Sequence, residues 1–131
     1  ISDNDNMKSY IELIDLRTIS PVDYATINRS VKKTGRILVL DTDNSNVSVA
    51  SEIVARISMN LFDFLKAAPI KIALPDVPTP ASFGLTKNFY PSSKEVVENI
   101  LKILKKNINI KKFFKSNEPH DVPGSWFKGP F

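Results

Sequence analysis

The segment Asp41-Thr42-Asp43-Asn44-Ser45-Asn46 carries the side chains best suited to holding a metal ion. Together with Glu52 it places oxygen atoms at positions 1, 3, 5 and 12 of a calcium-binding loop. Asn46, however, stands where such loops need a glycine, and a predicted strand precedes the segment where such loops have a helix. We therefore interpret these Asp and Asn residues as turn and cap residues.

Other arrangements that could perform catalysis are missing from the sequence. The chain has no cysteine, which excludes disulfides, thiolate metal sites and cysteine nucleophiles. His120 is the only histidine, and no partner lies at metal-ligand spacing from it. No serine lies in a G-x-S-x-G motif, and there is no G-x-G-x-x-G or phosphate-binding loop. We predict no catalytic, cofactor-binding or metal-binding residues in this chain.

The positive charge of the chain could suggest a nucleic-acid or a membrane partner, but the positions of its charged and apolar residues support neither. The net charge is +4, and lysines are dense in the last third of the chain, as in some nucleic-acid-binding proteins. Lys94, Lys102, Lys105 and Lys106 fall mainly on one side of a predicted helix, where a solvated face is expected. No apolar run reaches membrane-spanning length, and no signal-peptide pattern is present. We expect no nucleic-acid partner, no membrane contact and a cytoplasmic location.

The first half of the chain predicts a strand–helix–strand unit. The apolar run Ile11–Leu16 predicts the first strand, and the continuous apolar run Ile37–Leu40 predicts a strand covered on both faces. Between them, Ser20 fits a helix N-cap and Pro21 fits the first helical position. Gly35 can adopt the left-handed conformation that ends a helix. Two strands joined by a helix imply a right-handed crossover and a parallel pair.

The second half predicts a helix, a strand and a further helix. The range Ser48–Leu65 is amphipathic, Ile70–Leu74 is a buried strand, and Ser92 caps the last helix with Glu95 three residues on. The segment Pro75–Pro80 cannot be a regular helix or a central strand, and it predicts a stiff surface segment. The apolar stripe of the helix predicted over Ser48–Leu65 consists of Val49, Ile53, Ile57 and Leu61, and it is widened by Val54, Phe62 and Leu65. Glu52 and Arg56 are expected to pair on its surface.

Several motifs occur in an order that is specific to one family. They are IDLRTISPVD, SVKKTGRILVLD, SEIVARI, FDFLKAAPIKIALPDVPTP and FYPSSKEVVENILKIL, which together run from about Ile11 to Leu104. In this order they resemble the C-terminal domain of the beta subunit of thiamine-diphosphate-dependent 2-oxo acid dehydrogenases, of the pyruvate and branched-chain type. Transketolase shares this domain. The resemblance and the predicted elements imply an α/β domain of three layers, α/β/α, with a mainly parallel sheet.

The resemblance also implies a division of labour within a larger enzyme. The whole enzyme would decarboxylate a 2-oxo acid on thiamine diphosphate with magnesium, and pass the acyl group to a lipoyl-bearing acyltransferase. The family's diphosphate-and-metal motif and the segment with its activating glutamate are absent here, so the cofactor would bind outside this chain. The chain alone is expected to serve assembly, with an alpha subunit or domain, a second beta subunit and the acyltransferase as partners.

The predicted domain boundaries place the family-like domain at residues 10–107. Residues 1–9 are expected to form a linker or a frayed end, and residues 108–131 an aromatic extension containing Pro and Gly. Family members carry another strand and helix before the DLRT strand, inside the sheet, so the resemblance implies that the first strand and helix of the domain are missing from these 131 residues or are supplied by another piece of chain. The first residue, Ile1, also predicts a fragment of a longer protein.

The predicted interface combines the proline-rich segment with the aromatic tail. In the family, the DVPTP-like segment lies close to subunit contacts, although a rigid surface loop explains its prolines equally well. A disordered tail should be poor in aromatic residues, so this tail is expected to dock on its own domain or on a partner. The predicted interface residues are Arg17, Arg56, Asp76, Pro78, Pro80, Phe113, Phe114, Trp126, Phe127 and Phe131.

Two alternatives remain open at this stage. One is the C-terminal domain of a transketolase-type or deoxyxylulose-phosphate-synthase-type enzyme, which shares the domain but performs ketol or acyloin chemistry. The other is a non-catalytic α/β module in which the loop after Leu40 takes a small ion. The SVKKTGR and DVPTP motifs favour the dehydrogenase branch.

Overall fold

The computed structural model describes residues 11–110 together with Phe113, Phe114 and Lys128. Within this part of the chain, no helix is both long and apolar enough to cross a membrane. The elements in chain order are α1 (Tyr24–Thr34), β1 (Leu38–Asn44), α2 (Val49–Asn60), a short 3-10 helix (Phe62–Phe64), β2 (Ile70–Leu74), α3 (Phe83–Thr86) and α4 (Ser93–Leu104).

The two strands β1 and β2 pair in parallel, joined through α2. Val39 lies opposite Lys71 in the register, and Leu40 lies opposite Ile72. Because side chains alternate along a strand, Val39 and Lys71 share one face of the sheet and Leu40 and Ile72 share the other. Helix α2 covers the first face, since its Ser51 bonds Lys71, and α4 contacts β2 from the second. The predicted α/β class is confirmed.

The main core lies between α1 and α2. Ile27 and Val31 of α1 pack with Ile53, Ile57 and Leu61, and all five are buried. This confirms the central part of the predicted stripe. The prediction that Phe62 widens the stripe is wrong, because α2 ends at Asn60 and Phe62, now in the 3-10 helix, is 74% exposed.

The predicted first strand does not form. Residues 11–16 have no regular secondary structure, and Leu13 is 94% exposed. A strand needs a neighbouring strand to satisfy its backbone groups, and a groove lined by both this segment and β1 lies where that neighbour would be. The parallel pair expected between Ile11–Leu16 and Ile37–Leu40 is therefore replaced by the pair of β1 with β2.

The start of α1 also differs from the prediction. Asp23, and not Ser20, is the N-cap, because its Oδ1 accepts a hydrogen bond from the backbone N–H of Thr26 at 3.0 Å. The Thr18 hydroxyl donates to the Pro21 carbonyl at 3.1 Å, which holds Ser20 and Pro21 in a turn outside the helix. Two other predicted helix boundaries are confirmed: Gly35 ends α1 in the left-handed conformation, and Ser92 caps α4 through the Glu95 N–H.

The Asp23 cap predicts a specific dependence of stability on pH. Hydrogen bonds from Thr26 lower the pKa of the Asp23 carboxyl below its ordinary value of 3.8. Because the pKa of Asp23 is lower in the folded state, its ionised carboxylate stabilises the folded protein at pH values above the unfolded pKa. This stabilisation is lost as the pH falls through the folded pKa. The substitution Asp23→Asn keeps a capping oxygen but cannot ionise. Urea unfolding between pH 2 and pH 7 should show a smaller loss of stability below about pH 4 in the variant. Parallel pH profiles for the two proteins would contradict this assignment.

Candidate functional site

The carboxyl ends of β1 and β2 carry a network of polar residues. Asp41, within β1, accepts two backbone hydrogen bonds, from the N–H of Ala50 at 3.0 Å and from the N–H of Asp43 at 3.2 Å. These bonds fix the first turn of α2 above the strand end. Asp41 therefore acts as a turn and cap residue, as its position in the sequence predicts.

Lys71 links the loop after β1 to α2 and β2. Its ammonium group donates to the backbone carbonyl of Ser45 and to Ser51 Oγ, the latter at 2.7 Å. Ser51 Oγ also donates to the Ser45 carbonyl at 3.2 Å, and the Ser51 N–H donates to the N-cap Ser48. Sequence reasoning missed Lys71. The available signal was its position as the single charged residue in an otherwise apolar strand.

The same loop holds the proline-rich segment. Asn46 Nδ2 donates to Asp76 Oδ2 at 2.6 Å, and the N–H of Ser45 donates to the Leu74 carbonyl at 2.8 Å. From Pro75 to Thr79 the segment is irregular and exposed, as expected for a stiff surface segment, while Pro80 is half-buried. Next to Asn46, the side chain of Val47 is fully exposed, and its backbone has a left-handed φ of 53°.

The polar residues at this edge do not fit a diphosphate cofactor or its magnesium ion. Among residues 11–110 and the three others described, no three Asp, Glu, His or Cys side chains gather as metal ligands would. Both carboxylate oxygens of Asp41 already accept backbone N–H groups. Glu52 lines a separate cleft formed with Ser20, Pro21 and Tyr24, and it does not join Asp41.

Arg56 lies over an aromatic ring at that cleft. Its guanidinium is 4.2 Å from the ring centroid of Tyr24, which is a cation–π contact. The cleft has a volume of about 350 Å³ and includes Val49 and Glu52 in its lining. The predicted ion pair of Glu52 with Arg56 is wrong, because no salt bridge joins them within the part of the chain described. The planar guanidinium stacks on Tyr24 instead.

The other predicted interface residues are dispersed. Arg17 is highly exposed and pairs with Asp15, with 2.9 Å between Arg17 Nε and Asp15 Oδ2. Phe113 is more than half exposed, and Phe114 is partly buried. Trp126, Phe127 and Phe131 lie outside the described residues, as do the predicted linker 1–9 and most of the extension 108–131. The structure joins Asp76 to the strand-end network and leaves Arg17 in a local pair with Asp15.

Comparison with protein families gives one match that covers most of the chain. Residues 5–96 match the family model described as the C-terminal domain of transketolase. This range includes α1, β1, α2, β2 and the start of α4. It therefore contains the core and the strand-end network described above.

Comparison with curated proteins gives relatives with dehydrogenase names. The chain is 42% identical over 90 residues to the pyruvate dehydrogenase E1 component subunit beta of Rhizobium meliloti, which covers 69% of this chain and 20% of that protein. It is 43% identical over 94 residues to the subunit of the same name from Mycoplasma pneumoniae, covering 70% of this chain and 29% of that protein. It is also 34% identical over 94 residues to the acetoin:2,6-dichlorophenolindophenol oxidoreductase subunit beta of Cupriavidus necator, covering 72% and 28%. The chain thus spans less than a third of the length of these relatives.

Proposed function

We propose a function from one premise: the chain belongs to the transketolase C-terminal domain family. We propose that it is the C-terminal assembly domain of the beta subunit of a thiamine-diphosphate-dependent 2-oxo acid dehydrogenase. The observation that carries this proposal is the identity of about 40% to pyruvate dehydrogenase beta subunits over most of the family-like domain. We keep residues 10–107 as the proposed extent of that domain.

The proposed role is assembly and not catalysis. The polar atoms at the carboxyl ends of the strands are engaged in holding the loop, α2 and the proline-rich segment together. Thiamine diphosphate and magnesium would bind outside this chain and would supply the carbanion chemistry of decarboxylation. The proposed partners are an alpha subunit or domain, a second beta subunit and a lipoyl-bearing acyltransferase.

The proline-rich segment is the part of the surface best suited to a subunit contact. Prolines limit the backbone freedom of Pro75–Pro80, so little entropy is lost when such a segment docks. The bond from Asn46 to Asp76 fixes the segment to the body of the domain. We place Asp76 and Pro78 at the centre of the proposed interface. Arg17, Arg56 and the aromatic residues of the tail are also proposed to belong to it.

The test of the reaction class uses the natural polypeptide that contains this sequence, purified with its partners. With thiamine diphosphate and magnesium, it should reduce 2,6-dichlorophenolindophenol in the presence of a 2-oxo acid such as pyruvate or a branched-chain analogue. The 131-residue chain alone should show no such activity. A purified assembly that is inactive with every 2-oxo acid tried would contradict the dehydrogenase assignment.

A second candidate substrate is favoured by one relative. The relative named an acetoin oxidoreductase subunit is 34% identical over 94 residues. The same dye assay with acetoin in place of a 2-oxo acid separates the two candidates. Dye reduction with acetoin but not with 2-oxo acids would assign the chain to the acetoin class.

The assembly role predicts an effect of Asp76→Ala. Removing this carboxylate releases the proline-rich segment from Asn46, so association with partner subunits should weaken by about tenfold. Sedimentation of the natural polypeptide across a range of concentrations measures the change. The matched control is Asp63→Ala, which removes an exposed carboxylate in the 3-10 helix. Equal assembly of both variants and the unaltered protein would show that the segment is only a surface loop.

A further inference from the structure

A cleft of about 350 Å³ lies between the turn before α1 and one face of α2. Its volume is near the lower end of the range for small-molecule sites. Val49, Glu52 and Arg56 line it from α2, where their spacing of three and four residues places them on one face. Ile19 and Val22 line it from the turn. The cleft therefore has both an apolar part and a charged part.

Arg56 is held in place at this cleft, but no described residue neutralises its charge. Its guanidinium lies 4.2 Å from the ring centroid of Tyr24, and the stacking limits the positions that the long side chain can take. None of the ion pairs among the described residues includes Arg56. Stacking uses the face of the guanidinium, so the N–H groups at its edge remain able to bind an anion.

Glu52 lies one helical turn before Arg56 and also forms no ion pair with any described residue. Residues four apart on a helix are about 6 Å apart along its axis, and opposite charges at this spacing usually pair. Here Arg56 stacks on Tyr24 instead, so the two charges line the same cleft without meeting. A cleft that offers one cationic and one anionic group suits a ligand that carries both charges.

We propose that the cleft binds a free α-amino acid with a branched aliphatic side chain. The carboxylate of the ligand accepts hydrogen bonds from Arg56, and its ammonium group donates to the Glu52 carboxylate. The two charges of an α-amino acid flank a single carbon atom, so one ligand can reach both side chains. Its aliphatic part covers Ile19, Val22 and Val49, of which Ile19 is 67% exposed. This inference does not depend on which reaction the whole protein performs.

The charges of the cleft favour an amino acid over other small ligands. A phosphate or a dicarboxylate would bring further negative charge close to Glu52, and an amine without a carboxylate would lie close to Arg56. Each of these ligands would be repelled by one of the two groups. A polar side chain would lose its hydrogen bonds to water against the apolar part of the cleft. The ligand class that remains is zwitterionic at one end and apolar at the other.

Calorimetric titration of the natural polypeptide, assembled with its partner subunits, tests the proposal with L-leucine as the probe. One L-leucine should bind per chain. Arg56→Gln and Glu52→Gln should each weaken binding by about tenfold or more, since each removes a hydrogen bond between charged groups. The matched controls are Arg29→Gln and Glu98→Gln, which remove exposed charges outside the cleft and should leave binding unchanged.

Two analogues of leucine separate the roles of the two charged residues. Isocaproate keeps the carboxylate and lacks the ammonium group, whereas isoamylamine keeps the ammonium group and lacks the carboxylate. Glu52→Gln should weaken the binding of L-leucine but not that of isocaproate. Arg56→Gln should weaken the binding of both, but not that of isoamylamine. A purely structural role of either residue would not produce this difference between ligands.

Four outcomes would overturn the proposal. Absence of saturable binding at L-leucine concentrations up to about 10 mM would exclude the site. Equal binding by the unaltered protein and both cleft variants would place the leucine site elsewhere. Equal affinities for isocaproate and L-leucine would leave Glu52 without a part in binding. Binding to the isolated 131-residue chain but not to the assembly would show that a partner subunit occupies the cleft, as the proposed interface role of Arg56 allows.

Discussion

Replacing Ile57 with alanine is expected to destabilise the protein by about 2–5 kcal/mol, the usual range for an isoleucine truncated in a packed core. Ile57 is fully buried, at 0% exposure, and it packs between α1 and α2 with Ile27 and Val31. The truncation removes apolar contacts and leaves a cavity that two helices cannot easily close. Urea unfolding followed by circular dichroism measures the change in the free energy of unfolding.

Met59 provides the matched control for this experiment. It lies two residues further along α2 and is 82% exposed. Met59→Ala should therefore change the free energy of unfolding by no more than about 0.5 kcal/mol. If the two substitutions have equal effects, the α1–α2 contact is not the main core of the domain.

Replacing Gly35 with alanine is expected to destabilise the protein by about 1–2 kcal/mol from the backbone alone. Gly35 ends α1 with a φ of 70°, and a Cβ there would lie 2.8 Å from the Lys66 side chain and 3.0 Å from the Phe64 carbonyl oxygen. The Lys66 side chain can move, but the backbone around the Phe64 carbonyl is fixed, because the Leu65 N–H donates to the Phe62 carbonyl and the Lys66 N–H donates to the Gly35 carbonyl. The thermal unfolding midpoint should fall accordingly.

Gly84 is the matched control for Gly35. It has no left-handed φ, and a Cβ there would meet its nearest neighbour, Ser82 Oγ, at an ordinary 3.9 Å. Gly84→Ala should therefore leave the unfolding midpoint unchanged or raise it slightly, because alanine is the better helix former. A drop of equal size in both variants would show that the Gly35 conformation is not the cause.

The elements that the sequence predicts correctly are those with local causes. Ser92 caps α4 with a residue three positions away, Gly35 stops α1 by its own conformational freedom, and Ile53 and Ile57 lie one helical turn apart. The strand expected at Ile11–Leu16 fails for a non-local reason. Its residues have the right composition, but a strand also requires a neighbour, and the described part of the chain provides none.

The candidate site was less predictable because its contacts join distant residues. The exposed proline-rich segment could be predicted, since proline constrains the backbone wherever it occurs. The hydrogen bond that Asn46 Nδ2 donates to Asp76 of this segment spans 30 positions and has no local signature. The stacking of Arg56 on Tyr24 replaced an ion pair expected from helical spacing, because the choice between two partners depends on how α1 packs beside α2.

The position of Lys71 bears on how the two strands find their alignment during folding. Its ammonium group lies on the α2 side of β2, where the Ser45 carbonyl and Ser51 Oγ accept hydrogen bonds from it. A shift of β2 by one residue would turn every side chain of that strand to the opposite face. The ammonium group would then enter the apolar layer beneath α4, and Ile70 and Ile72 would meet the polar strand-end network. A single lysine in the middle of an apolar strand thus penalises the misaligned pairing and leaves one alignment that satisfies both faces of the sheet.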